Sequence, residues 1–208
     1  MSYLFDALRA ALLAGLLLAP AVPARAAGAL CRGELRDAII DGGLLVPDGA
    51  RCVLRHVTVR GNLLAGRGSV LRIADDVAIL GNLAADRCAY VSFEPASPTA
   101  GITIGGNVEI EHCRESSGKL YAAGEIEIAG NFVCHDNSAS CFVVSLTILG
   151  NALVLRNSGG LSYVEGNTIG GDLECRGNAG VIDYGQPNRV GGKKLGECAA
   201  LSDWPRIN

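Results

Sequence analysis

The stretch "TILGNALVLRN", Thr147–Asn157, is followed 21 residues later by "TIGGDLECRGN", Thr168–Asn178. Each begins with a short apolar segment, turns through Gly-Asn or Gly-Asp, resumes an apolar alternation, and reaches a second Asn six residues after the first Asn or Asp. The same Gly-Asn pair stands at Gly61-Asn62, Gly81-Asn82, Gly106-Asn107, Gly130-Asn131 and Gly150-Asn151, and continues altered as Gly171-Asp172 and Gly192-Lys193. The steps between successive pairs are 20, 25, 24, 20, 21 and 21 residues. A recurrence of 20–25 residues marks a solenoid, in which each repeat buries its apolar face only against its neighbours.

The local pattern decides which solenoid. Two and four places before the Gly stand Val57 and Val59, Val77 and Ile79, Ile102 and Ile104, Ile126 and Ile128, and Leu146 and Ile148. Alternation at period two is a strand signal, and the β-branched residues and 28 Gly argue against a helical repeat. The Leu-x-x-Leu-x-Leu frame of leucine-rich repeats is absent. The predicted fold is all-β: a single right-handed parallel β-helix of about seven coils with a period of 20–25 residues. The Gly-Asn pair is read as a strand-to-strand corner that needs left-handed or bridging backbone. Stacking then predicts a ladder of side chains along the axis from Asn62, Asn82, Asn107, Asn131, Asn151 and Asp172.

A second column, six residues after the first, holds Cys88, Cys113, Asn137, Asn157 and Asn178. Aligned Cys on neighbouring coils are within disulfide reach, which pairs Cys88 with Cys113. Cys134 and Cys175 share a register, but the coil carrying Val154 separates them, so Cys134 is assigned to Cys141 and Cys175 to Cys198, leaving Cys31 with Cys52.

Residues 1–26 read as a signal peptide, with an apolar run from Ala10 to Ala19, Pro20, and Ala24-Arg25-Ala26 as the small-x-small cleavage site. Ten apolar residues are too few to span a bilayer. An even number of Cys, eight, all beyond that point, predicts disulfides and a secreted or periplasmic location. The expected layout is a signal peptide over 1–26, a β-helix with an N-terminal cap over 27–198, and a capping tail over 199–208 in which Trp204 covers the last coil. A net charge of −3 carries no basic bias toward nucleic acid, and no membrane span is expected after processing.

"LLVPDGARCVLRHVTVRGN", Leu44–Asn62, with "NTIGGDLECRGN" and the closing "VGGKKLGEC", resembles a group of uncharacterised exported bacterial right-handed parallel β-helix proteins. The resemblance covers roughly Cys31 to Cys198 and implies fold, not activity. A more distant likeness is to bactofilins, which polymerise end to end; the export signal and the Cys content depart from that pattern.

Acidic residues supply the candidates for chemistry: Asp75-Asp76, Glu109, Glu111, Glu125, Glu127, Asp172 and Glu174. Asp86 and Glu111 occupy stacked positions four places after their corner Asn and form the acidic pair to test for a polysaccharide lyase or hydrolase. "CHDNSASC" and "EHC" bring Cys, His and Asp together without a standard zinc spacing, and His112, Asp136 and Arg156 share a column that reads as a charge ladder. No catalytic residue, cofactor or metal is therefore assigned. Phe93, Tyr121, Phe142, Tyr163 and Tyr184 fall 11 to 14 residues after their corner residue, one per coil, forming either a core stack or an exposed row for sugar rings. The expected function is a monomeric structural or interaction module of the cell envelope, facing an envelope polysaccharide or another envelope protein, with a carbohydrate-active β-helix enzyme as the alternative.

Overall fold

The computed structural model describes residues 28–95, 100–114 and 125–202. The expected signal peptide, Tyr121 and Trp204 lie outside them. Within the described residues the chain is a parallel β-solenoid of about eight turns, built from 22 short strands and one 3-10 helix, Glu197–Ala200. No helix among them is long and apolar enough to cross a membrane.

Sheet I follows the Gly-Asn corner. Its nine strands run in order from Ala29–Leu30 through Leu44–Val46, Leu63–Ala65, Leu83–Asp86, Val108–Glu111, Phe132–His135, Ala152–Leu155 and Leu173–Arg176 to Lys194–Gly196, every pair parallel. Sheet II precedes the corner and stacks Val77–Ile79, Gly101–Ile104, Glu125–Ile128, Leu146–Ile148, Thr168–Ile169 and Arg189–Val190. A third face carries Val70–Ile73 and Tyr90–Phe93 near the start, joined to sheet II through the long strand Arg51–Val59, and Phe142–Val144, Ser162–Glu165 and Val181–Ile182 toward the end. Alternate side chains point inward, so identical registers stack as apolar columns such as Ile79, Ile104, Ile128, Ile148 and Ile169. In the column Val108, Phe132, Ala152, Leu173 the bulk of Phe132 is matched by Ala152 on the next coil, which keeps the interior filled.

One more turn exists than the Gly-Asn search finds. Leu44 pairs with Leu63, so Gly42-Gly43 occupies the corner register of Gly61-Asn62, and the missing Asn hides that coil from the pattern.

The corners also differ from expectation in their physical cause. None of the corner glycines from Gly61 to Gly192 has positive φ. They are glycines because successive corners touch: Gly130 N–H donates to Gly106 O at 3.0 Å, and a Cβ on Gly130 would lie 2.7 Å from that oxygen. The left-handed non-glycine positions are instead Asp37, His56 and Asp76 at one bend, Arg87, His112, Asp136 and Arg156 at another, and Ser145, all with φ between 51° and 56°.

The ladder is present with a different bond pattern. Asn82, Asn107, Asn131, Asn151 and Asp172 each donate a backbone N–H to the Oδ1 of the preceding ladder residue at 2.8 Å, while amide-to-amide distances are 3.2–3.4 Å. Only an oxygen is required, so Asp172 substitutes for Asn without loss, accepting from Lys193 N–H at 2.7 Å.

Two buried ladders reinforce the interior. Asn137, Asn157 and Asn178 chain together and end on the carboxylate of Glu197, which Asn178 Nδ2 reaches at 2.8 Å. Asn167 Nδ2 donates to Asn188 Oδ1 at 2.8 Å and its own oxygen accepts the N–H of Leu146. The sequence signal for this second buried ladder is slight: Asn stands two places before both Ile169 and Val190, and nowhere else in the equivalent position.

Four disulfides join Cys31 to Cys52, Cys88 to Cys113, Cys134 to Cys141 and Cys175 to Cys198, the pairs that the register argument selects. They are consistent with an extracellular or periplasmic environment.

Candidate functional site

The richest group of chemically capable side chains lies on the outer face of sheet I, at the edge that leads into the left-handed bend. Outward positions four after the corner Asn stack as Asp86, Glu111 and His135 on three successive coils, with Glu109 two residues before Glu111 on the same face. The next residue on each coil, Arg87, His112, Asp136 and then Arg156, takes the left-handed conformation, which turns its side chain back alongside.

Asp86 and Glu111 come together as expected, with His112 between them: its Nδ1 stands 3.3 Å from Asp86 Oδ1 and 3.5 Å from Glu111 Oε2. Arg87 grips Asp86 through Nε and Nη2 at 2.7 Å each. His112 thus belongs to the acidic pair, while the charge ladder expected in its column is realised between Asp136 and Arg156. Arg156 donates to both oxygens of Asp136 at 2.6 Å, and His135 Nδ1 reaches Asp136 Oδ2 at 2.7 Å. The Arg156 hydrogen bonds, followed by that from His135, hold the Asp136 carboxyl well below the usual carboxylate range, and the same contact raises Arg156.

The other face of His135 meets Glu111 Oε2 at 3.4 Å and Glu109 Oε1 at 3.5 Å. Two donor sets are therefore assembled, Asp86–Glu111–His112 and Glu109–Glu111–His135, sharing Glu111. The thiols of "CHDNSASC" and "EHC" belong to neither, since Cys113, Cys134 and Cys141 are all in disulfides. In the sequence His135 stands among those Cys, which masks its alignment with Glu111, though the four-residue offset from Asn131 carries that signal. Beside the site a cleft of about 290 Å³ is lined by Arg67, Arg87, His112 and Arg114.

The remaining acidic candidates do not converge on it. Asp75 pairs with Arg55 at 2.6 Å, Asp76 faces His56 at 3.6 Å, Glu174 pairs with Arg176 and stands three coils from Glu109, and Glu125 and Glu127 are exposed on sheet II.

The aromatic row divides. Phe93 points into the core and is fully buried, whereas Phe142 and Tyr163 point outward from the third face. Phe142 and Tyr163 stack at 4.7 Å and Tyr184 follows at 5.4 Å, with Tyr184 71% exposed. Because each ring covers its neighbour's face, the row offers edges to solvent, apart from the outer face of Tyr184. Its hydroxyl donates to Tyr163, and that bond raises the Tyr184 pKa. The pure core reading therefore holds for Phe93 alone among the described members.

No protein-family model, curated protein or solved structure matches this chain.

Proposed function

We propose that this chain is an exported structural or interaction module of the cell envelope, a monomer that presents rigid, repetitive β-helix faces to an envelope polysaccharide or to another envelope protein. The observation that carries the reading is the stapling of the solenoid: all eight Cys are in disulfides, and three of the four tie one coil to the next. Together with continuous Asn ladders this gives an extended surface that is already organised before it meets a partner, so little ordering entropy opposes binding. The C-terminal end supports a monomer in place of the head-to-tail assembly that a bactofilin-like protein would form. Glu197 terminates the buried ladder, Cys198 is clamped to Cys175, Leu201 is buried, and Lys194 Nζ donates to the carbonyls of Leu201 and Ser202.

A second reading, a carbohydrate-active enzyme, is favoured by Asp86 and Glu111 meeting on His112 beside an arginine-lined cleft. Against it, both carboxylates engage one imidazole and Asp86 is bound twice by Arg87, which leaves neither aimed across an open groove. A glycan and envelope-protein binding array probed with the disulfide-bonded chain tests the module: saturable retention of one class is expected, and retention by none would overturn it. Product release that disappears in Asp86→Asn would instead establish the enzyme.

A further inference from the structure

We propose that Glu109, Glu111 and His135 form a binding site for one divalent transition-metal ion of the zinc class, with Asp136 and Arg156 as its outer support. This goes beyond the envelope-module reading and stands without it.

The proton on His135 has a fixed place. Asp136, held as the anion by two hydrogen bonds from Arg156, takes a hydrogen bond of 2.7 Å from His135 Nδ1. That fixes the proton of the neutral imidazole on Nδ1 and leaves Nε2 as a lone pair. This lone pair faces the carboxylates of Glu109 and Glu111, so three electron-pair donors from two adjacent coils converge with their ligand atoms within 4.8 Å of one another.

The distances separate an ion from a proton. An imidazolium bonded to a carboxylate would sit about 2.7–2.9 Å away, as the Asp136 contact does. Nε2 is instead 3.4 Å from Glu111 and 3.5 Å from Glu109, too long for a charge-assisted hydrogen bond. A tetrahedral ion bound at about 2.0–2.2 Å from each donor sets its ligands roughly 3.3–3.6 Å apart, and both separations fall in that interval.

The surroundings fit the same reading. A ligating His characteristically gives its other N–H to a carboxylate, which orients the ring and raises its basicity; Asp136 occupies that position and is itself oriented by Arg156. Arg87 matches Asp86 and Arg156 matches Asp136, whereas the ion pairs of Glu109 and Glu111 among the described residues run only to the imidazoles of His112 and His135, so the two ligand carboxylates carry no arginine of their own. His112 also approaches the site: its Nδ1 stands 3.5 Å from Glu111 Oε2, and its ring lies 6.1 Å from that of His135. One imidazole and two carboxylates suit zinc, cobalt or manganese better than calcium, which takes six to eight oxygens. Three protein donors leave a fourth position for water or for a donor atom of a bound partner.

The test uses the untagged full chain, oxidised and stripped with EDTA, titrated calorimetrically with zinc chloride and then with cobalt chloride. One ion per chain is expected, with an X-ray absorption first shell of nitrogen and oxygen only and a tetrahedral cobalt spectrum. Glu111→Gln and His135→Gln should each weaken binding at least about 100-fold, and Asp136→Asn about 10- to 100-fold at unchanged stoichiometry. Circular dichroism in EDTA confirms that each variant is folded, and Glu109→Gln replaces any that is not. No saturable binding below 1 mM (roughly 4 kcal/mol), affinity unchanged in Glu111→Gln and His135→Gln, or sulfur in the first shell would overturn the site.

Discussion

Asn157 donates both its backbone N–H, at 3.1 Å, and its side-chain amide, at 3.0 Å, to the single Oδ1 of Asn178 on the next coil. Its own Oδ1 receives the same pair from Asn137, and its amide also reaches Cys134 O at 3.0 Å. Asn157 is fully buried, so water cannot replace these bonds. Asn157→Ala should therefore cost about 2–4 kcal/mol, because the Asn137 N–H and the Cys134 carbonyl lose a partner inside the core. Asn131→Ala, in the solvent-exposed ladder, should cost about 1 kcal/mol or less. Urea denaturation of the two variants side by side checks the contrast; equal losses would contradict it.

Gly130 tests the close approach of successive corners. A methyl group there would press on Asn107 Oδ1 and come within 2.7 Å of Gly106 O, neither of which can move without breaking the ladder. Gly130→Ala should destabilise the protein by about 1–3 kcal/mol despite its permissive φ. Gly101 also lacks positive φ, and among the described residues nothing lies within 4 Å of its Cβ position, so Gly101→Ala should leave the midpoint unchanged.

Acid should act through Asp136. Its folded-state pKa is depressed by Arg156 and then by His135, so the unfolded chain takes up this proton first as pH falls. The contribution is complete above the ordinary carboxylate range near pH 4 and is lost as pH drops below it toward the folded value. The thermal midpoint of the parent should exceed that of Asp136→Asn by a constant margin from pH 7 to 5, and the margin should narrow below pH 4. A margin that widens in acid would reverse the sign of the linkage.

What the sequence shows depends on how often a feature recurs. The Gly-Asn corner is repeated enough to reveal period, register and the disulfide pairs, since stacking turns equal offsets into neighbours. The Gly42-Gly43 coil stays hidden because a glycine carries no side chain to mark the ladder, and Asn167 and Asn188 recur only twice. Offset along the chain also fails to give side-chain direction. Phe93 and Phe142 both stand 11 residues after a corner Asn, yet one points inward and the other outward, since a shift of one residue in a strand reverses the face. At the site, Asp86 and Glu111 are legible as stacked acids. His135 is not, because its Cys neighbours suggest a thiolate chemistry that disulfide formation removes.

The carboxy-terminal closure predicts the state of association. Glu197, Cys198 and Leu201 together satisfy the last buried ladder and cover the final coil. The intact protein should sediment as a monomer, and removal of residues 197–208 should expose a parallel strand edge and promote association. Cys198→Ser alone should lower stability by about 3 kcal/mol through loss of a 23-residue closure. Filaments formed by the intact protein would contradict the cap.

Incubating the oxidised protein with fractionated envelope polysaccharides, and measuring both retention and polymer chain length, separates a solenoid that binds its partner from one that transforms it. Saturable retention is expected, with chain length and reducing ends unchanged at long times. Shortened polymer that accumulates in proportion to enzyme and time, and vanishes in Glu111→Gln, would contradict it.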